Sequence, residues 1–171
     1  MLRTVVLFFI LFTHTVDISA QGGIRAIFWE YNVAGKDILL LGLGLGYDHD
    51  MNERLSMGVD LRALVDRKAS WALSYHSAYH FADNDAGSFY LGPQVSMLNL
   101  AANEGDRMIL PIGLRAGVRG GLEHFYADLF GSVSLAPGAS NVAYGESNGY
   151  KLSNIFYQLG LHLGWGWDRR R

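Results

Sequence analysis

The chain has 171 residues, a net charge of −2 and no cysteine. That length suits one domain. The near-neutral charge leaves no electrostatic footprint for nucleic acid, and the lack of thiols excludes a disulfide scaffold, a thiolate metal site, a cysteine nucleophile and a lipid-modified N-terminal cysteine. Glycine is abundant at 21, proline scarce at 3, and aromatic residues make up 13%, a mixture that suits many strands better than helices.

Residues 1–20 differ from the rest. Arg3 supplies a positive start, residues 5–12 form a short apolar run, and Ile18-Ser19-Ala20 ends in a small residue before Gln21. This is the layout of a secretory signal peptide cleaved after Ala20, and the apolar run is well short of the ~20 residues a spanning helix needs. The domain then runs over residues 21–171. It contains no run long and apolar enough to be a transmembrane helix.

From here the chain alternates, as strands do when successive side chains point to opposite faces. In residues 24–33, Ile27, Trp29, Tyr31 and Val33 share one face and Ala26, Phe28, Glu30 and Asn32 the other. Phe28 interrupts the polar side and Arg25 falls on the apolar side, where a long side chain near a membrane edge can snorkel. Residues 37–50 set Leu39, Leu41, Leu43, Leu45 and Tyr47 against Leu40, Gly42, Gly44, Gly46 and Asp48; glycine at every second position would make a poor helix. After a turn at Met51-Asn52-Glu53, residues 54–65 set Leu55, Met57, Val59, Leu61, Ala63 and Val65 against Ser56, Gly58, Asp60, Arg62 and Leu64.

Residues 70–82 carry Trp71, Leu73, Tyr75, Tyr79 and Phe81 on one side and Ser74, His76, Ala78 and His80 on the other. A turn signal, Asp83-Asn84-Asp85-Ala86-Gly87, follows. Residues 88–99 oppose Phe89, Leu91, Pro93, Val95 and Met97 to Tyr90, Gly92, Gln94 and Ser96; residues 108–119 oppose Leu110, Ile112, Leu114, Ala116 and Val118 to Gly113, Arg115, Gly117 and Arg119. Gly120-Gly121 predicts a hairpin turn. Residues 123–136 set Phe125, Ala127, Leu129, Val133 and Leu135 against Tyr126, Asp128, Phe130, Ser132 and Ser134. The last strand, 154–167, places Ile155, Tyr157, Leu159, Leu161, Leu163, Trp165 and Trp167 opposite Phe156, Gln158, Gly160, His162 and Gly164. Its apolar face carries aromatics toward the ends and leucines between, the pattern of a strand crossing from one headgroup layer to the other.

These eight segments have the length a tilted strand needs to span a bilayer. Their connections alternate between tight turns and more variable ones, the longest at residues 137–152, as expected for an antiparallel up-and-down transmembrane β-barrel with both termini in the periplasm. A soluble barrel turns its apolar face inward; here the faces free of charge are the apolar ones, which places lipid outside.

The run Leu41-Gly42-Leu43-Gly44-Leu45-Gly46-Tyr47-Asp48, followed by Asn52-Glu53-Arg54-Leu55-Ser56-Met57-Gly58-Val59-Asp60-Leu61, resembles the small eight-stranded outer-membrane β-barrel proteins of Gram-negative bacteria, particularly those of Bacteroidetes. The resemblance implies residence in the outer membrane, contact with its lipid and lipopolysaccharide, and insertion by the barrel-assembly machinery. Members end in an aromatic residue as a rule; here Trp167 is followed by Asp168-Arg169-Arg170-Arg171.

The interior of an eight-stranded barrel is only wide enough for its own side chains. The inward set is Glu30, Asp48, Asp60, Arg62, His76, His80, Gln94, Arg115, Arg119, Asp128, Gln158 and His162. Both signs are present, so the expected arrangement is a polar plug of paired charges. If Asp50 opposes Arg54, then Arg62 faces Gly42 and Asp60 faces Gly44; across a Gly120-Gly121 turn, Arg115 lies opposite or diagonal to Asp128.

His76 and His80 share a face but sit ~13 Å apart on a strand, too far to chelate one ion alone. His76 and Ser77 point to opposite faces and cannot pair directly. A His-x-Ser pair, the spacing used by barrel deacylases of lipid A, does not occur, nor does a phosphate loop or a G-x-S-x-G or H-E-x-x-H motif. No cofactor and no catalytic residue is expected. The leading reading is a non-enzymatic barrel acting in membrane integrity or in surface contact through the 137–152 loop, with Val142, Tyr144 and Tyr150 available to a ligand that the sequence does not identify. A lipid A-modifying enzyme and a narrow pore are the alternatives.

Overall fold

The computed structural model describes residues 21–35, 38–52, 54–65, 70–84, 87–102, 105–122, 124–144 and 150–167. In chain order the elements are β1 (Gln21–Gly35), β2 (Ile38–Asp50), β3 (Leu55–Val65), β4 (Ser70–Asn84), β5 (Gly87–Ala102), β6 (Gly105–Ile109), β7 (Ile112–Leu122), β8 (Phe125–Leu135), a 3-10 turn (Ala139–Asn141), β9 (Ala143–Tyr144), β10 (Tyr150–Lys151) and β11 (Ile155–Trp167). Each barrel strand pairs antiparallel with its neighbours; β1 pairs with both β2 and β11, and a β4–β5 pairing joins the ends of the sheet. The result is a closed eight-stranded antiparallel barrel, with β6 and β7 forming two parts of one strand of the wall. β9 and β10 form a separate small hairpin between β8 and β11.

Burial follows the period of two. Leu45, Leu61 and Leu114 are 64%, 58% and 58% exposed on the outer wall, while Asp60, Arg62 and Arg115 are 1–2% exposed within it. An apolar exterior around a polar interior is the reverse of a water-soluble barrel, and suits a hydrocarbon surround.

Four features of the local structure differ from the expected strands and turns and bear on the lumen. The first is a bulge in β1. Ile27 pairs with His162 and Trp29 with Leu161, so Phe28 is an extra residue with no partner in either ladder. One extra residue exchanges the two faces. Before the bulge the odd positions point inward: Arg25 is 0% and Ile27 2% exposed. Alternation alone predicts both outward, Arg25 as a snorkelling side chain; the structure places both inward, and the bulge explains why Phe28 and Arg25 break the pattern together. The side chains of residues 28–39 lie outside the described set.

The second is the β2–β3 turn. Asp50 pairs with Ser56, which puts Arg62 opposite Gly44 and Asp60 opposite Gly46. This is two residues from the expected register, so each side chain keeps its face. The Asn52 carboxamide oxygen accepts from the backbone N–H groups of Arg54 and Leu55, at 2.9 Å each, and enlarges the turn. The third is the β7–β8 turn. Gly121 pairs with Tyr126 and Leu122 with Phe125, so the chain reverses at residues 123–124 and Gly120-Gly121 lies within β7. The fourth is the stop between β6 and β7 at Leu110-Pro111. Proline has no N–H for the ladder, though its carbonyl still accepts from Ser96 N–H at 2.8 Å. Inward positions stay in step across it.

Candidate functional site: a layered lumen

The turns after β2, β4 and β7 lie at the end of the barrel that holds Gln21 and Trp167; the other connections lie at the opposite end. We call these the turn side and the loop side. Between them the lumen is filled in three layers.

The turn-side half is ionic. Arg25 reaches Asp48 and Asp60, at 2.5 Å each. Arg115 reaches Asp60 at 3.4 Å and Asp128 at 3.0 Å; Arg119 reaches Asp48 at 2.9 Å and Asp128 at 3.7 Å. Every arginine touches two aspartates and every aspartate two arginines. The sequence Arg25–Asp60–Arg115–Asp128–Arg119–Asp48 closes on itself as an alternating ring with no net charge.

Further groups prop the ring. His76 stands between its sides, with Nε2 3.3 Å from Arg25 and Nδ1 3.5 Å from Arg115. Tyr90 donates to Asp128 at 2.7 Å and Tyr126 to Asp48 at 3.0 Å. His162 Nδ1 lies 3.4 Å from Arg115, whose guanidinium stacks 3.6 Å over the Phe130 ring; that of Arg119 lies 4.8 Å from Tyr126. With His76 on β4, Tyr90 on β5 and His162 on β11, every strand of the wall contributes a side chain to this layer. Space for them comes from facing glycines. A methyl group on Gly46 would strike Asp60 and Arg25, and one on Gly164 would strike the Tyr126 ring. A charge in such a dry layer is tolerable only when its partners are in place. The ring supplies two for each.

Above it lies a belt of mostly neutral polar groups. Arg62 donates to Ser74. Ser74 and Ser96 hydroxyls are 2.6 Å apart, and the Gln94 amide donates to Gln158 at 2.8 Å, as does Ser132 at the same distance. At the turn side, apart from the ring, His80 lies 2.9 Å from both Ser56 and Ser88.

The loop-side mouth is apolar. Leu40, Leu64, Ala72, Leu98, Leu100, Ile109 and Phe156 from the wall pack with Ala136, Ala139 and Leu152 from the segment between β8 and β11, and Val142 packs against them. The described parts of the segment expected as a polar contact loop, residues 137–144 and 150–152, therefore bring Ala139, Val142 and Leu152 onto the apolar mouth as a cap. Val142 is half-buried against that apolar cluster. Tyr144 and Tyr150 pair through their backbones; their side chains lie outside the described set.

Of the residues assigned inward from sequence, Asp48, Asp60, Arg62, His76, His80, Gln94, Arg115, Arg119, Asp128 and His162 are buried, and Gln158 is half-buried. The Glu30 backbone lies opposite Gly42 and Gly160, and its side chain is not described. Arg115 contacts Asp128, though not through the expected register: Arg115 faces Ser132 across the ladder and Arg119 faces Asp128. A long side chain leaning along the lumen makes the pair. Sequence reasoning missed Arg25, hidden by the bulge, and the apolar cap. Its one available signal was the presence of leucines, Leu40, Leu64, Leu98 and Leu100, at inward positions on the loop side.

No family model matches the chain, and no curated protein matches it by sequence. Among solved structures, the chain is similar to the N-terminal β-barrel domain of Pseudomonas aeruginosa OprF, with 14% identity and TM-score 0.61 over 86% of this chain and 97% of that one. It is also similar to Neisserial surface protein A, with 13% identity and TM-score 0.54 over 85% and 94%. A third similar structure is Ail, the attachment invasion locus protein of Yersinia pestis, in complex with the heparin analogue sucrose octasulfate, with 14% identity and TM-score 0.51 over 86% and 99%. At these identities the likeness is one of fold: the small eight-stranded barrel.

Proposed function

We propose that the chain is a non-enzymatic integral β-barrel of a Gram-negative outer membrane, of the Bacteroidetes type, with a plugged lumen. Residues 1–20 are its cleaved signal peptide, its termini face the periplasm, and it serves membrane integrity or surface contact. Its partners are outer-membrane lipid and lipopolysaccharide, and the insertion machinery during assembly. The observation that carries this reading is the inside-out distribution of side chains: a wall of exposed leucines around a closed ring of buried ion pairs. The fold shared with OprF, the Neisserial surface protein and Ail supports the location. An enzymatic reading has less support. The His80–Ser56 contact faces the lumen, with Ser56 2% exposed, away from the outer wall where an acyl chain would lie.

Three measurements test the proposal. N-terminal sequencing of membrane-extracted protein should begin at Gln21; Met1 there would overturn the signal-peptide reading. In planar bilayers the protein should give no sustained conductance, and lipid A mass spectra should be the same with and without it. Steady single-channel steps would favour the narrow pore, and loss of an acyl chain from lipid A would favour the enzyme. The lipid-facing wall is checked by Leu129→Arg at the middle of β8, expected to cost ~2–4 kcal/mol, against Phe125→Arg at its end, expected to cost little.

A further inference from the structure

The charged members of the ring come from two separate arcs of the wall. Arg25, Asp48 and Asp60 stand on β1, β2 and β3, which are ladder neighbours; Arg115, Arg119 and Asp128 stand on β7 and β8, which are also neighbours. β4 and β5 separate the arcs on one side and β11 on the other, so the arcs face each other across the lumen. Neither arc is neutral. The first holds one arginine between two aspartates, an excess of one negative charge. The second holds one aspartate between two arginines, an excess of one positive charge. Pairs within an arc are local in the chain. Arg25 lies 23 and 35 residues from its aspartates, Arg115 lies 13 from Asp128, and Arg119 is the ladder partner of Asp128. The pairs that join the arcs are remote: Asp60–Arg115 spans 55 residues and Asp48–Arg119 spans 71. Contacts within a hairpin form before those that must close a long stretch of chain. Each arc therefore satisfies most of its charges by itself and keeps one unit that only the other arc neutralises. On an open sheet in hydrocarbon that excess is expensive; the closed barrel has none.

We infer that the ring is a closure latch: the chain lays down two oppositely charged arcs, and their attraction across the nascent lumen, through Asp60–Arg115 and Asp48–Arg119, drives the sheet to close on itself. This goes beyond the plugged-lumen reading. A plug needs only that the finished ring be balanced, whereas a latch needs the charges divided unequally between the arcs. The two fail differently, because conductance and stability report the finished ring and the rate of closure reports the latch.

Two double variants of the full mature chain separate these roles. Each removes one arginine and one aspartate and leaves an alternating, balanced chain of four charges. Asp48→Leu with Arg119→Met leaves Arg25–Asp60–Arg115–Asp128 and makes both arcs neutral. Arg115→Met with Asp128→Leu leaves Asp60–Arg25–Asp48–Arg119 and keeps the first arc negative and the second positive. Urea-unfolded protein is diluted into phosphatidylcholine vesicles, and the heat-modifiable, closed form is followed on gels over time. The variant with neutral arcs should close more slowly than the parent by about tenfold or more, the range of electrostatic steering, while the variant with charged arcs closes at nearly the parent rate. Salt gives a second reading, since the Debye length falls from about 30 Å at about 0.01 M to about 3 Å at about 1 M. Closure of the parent and of the charged-arc variant should slow over that range, and closure of the neutral-arc variant should not; effects of salt on the vesicles are common to all three and cancel. If Asp48→Leu with Arg119→Met does not close at all, Asp60→Leu with Arg115→Met, which also neutralises both arcs and leaves Arg25–Asp48–Arg119–Asp128, is read in the same way. Equal closure rates for the two kinds of double variant, or one salt dependence shared by all, would overturn the inference and leave the ring a plug only.

Discussion

The two ends of the lumen are lined by the same strands and closed by opposite chemistry. On the turn side, Arg25, Arg115 and Arg119 alternate with Asp48, Asp60 and Asp128 in one ring; on the loop side, Leu40, Leu64, Leu98, Leu100 and Phe156 meet Leu152 and Ala139 of the returning chain. The ring is directional, and each of its members depends on the others, because an arginine left without its aspartate is a buried charge in a narrow space. The cap is non-directional and gains by area, so loss of one member leaves a cavity that neighbours can partly fill. Substitutions should therefore act steeply at one end and gradually at the other.

The largest effect is expected at the ring. Asp128 is fully buried, holds Arg115 and Arg119, and accepts from Tyr90. Asp128→Ala leaves two buried guanidinium groups each short of one anion and should destabilise folding by roughly 3–5 kcal/mol, read as the shift in urea midpoint of the protein in lipid vesicles. A shift no larger than that of a substitution in the cap would mean that the ring is hydrated and the contrast between the two ends false.

Next comes the cap. Leu100 is 0% exposed within the apolar cluster, and Leu100→Ala should cost about 2–4 kcal/mol in the same titration through lost transfer energy and a residual cavity. Its signature is locality: protection from hydrogen exchange should fall in residues 136–144 and 150–154 and hold at the ring. Uniform loss across the barrel would show that the cap and the ring form one cooperative unit. A smaller effect, roughly 1–3 kcal/mol of overpacking, is expected for Gly46→Ala, whose methyl meets Asp60 and Arg25. If that substitution were neutral, Arg25 would not lie over Gly46, and the bulge at Phe28 would not set its direction.

The contrast between the ends also separates what the sequence shows from what it hides. The ionic half is legible because charge at every second position of a membrane strand has one place to go, and Asp48, Asp60, Arg115 and Asp128 keep their parity over long stretches. Register was harder to read. The β2–β3 and β7–β8 ladders differ from expectation by an even number of residues, so faces were preserved while partners changed. Glycine pairs misled at Gly120-Gly121, since glycine within a strand can mark room for a neighbour such as Tyr126 as readily as a turn. Arg25 was misplaced because a one-residue bulge inverts parity and leaves only an anomaly behind. The cap was illegible for a deeper reason: a polar loop with a few small apolar residues looks the same whether it stands in solvent or packs on a mouth lined by inward leucines from three other strands.

The smallest expected effect tests the ring as a ring. Arg115 and Asp128 are adjacent members, 3.0 Å apart. Removing Asp128 alone leaves Arg115 with Asp60 and Arg119 with Asp48, each short of one anion; removing Arg115 alone leaves Asp60 and Asp128 each short of one cation. Removing both opens the ring to the chain Asp60–Arg25–Asp48–Arg119, in which charges still alternate and balance. Arg115→Met with Asp128→Leu fills the vacated space with apolar atoms, and buried ion pairs replaced in this way are often neutral in stability. The double variant should then lie within ~1 kcal/mol of the parent, although either single change costs several. The coupling energy from the double-mutant cycle should be large and favourable. Strict additivity would mean that Arg115 and Asp128 act independently. If the double variant were as unstable as the Asp128 variant alone, Tyr90 would be the partner that matters, since its hydroxyl donates to Asp128 and accepts from Arg115; Tyr90→Phe, which removes the hydroxyl and keeps the ring, separates those two cases.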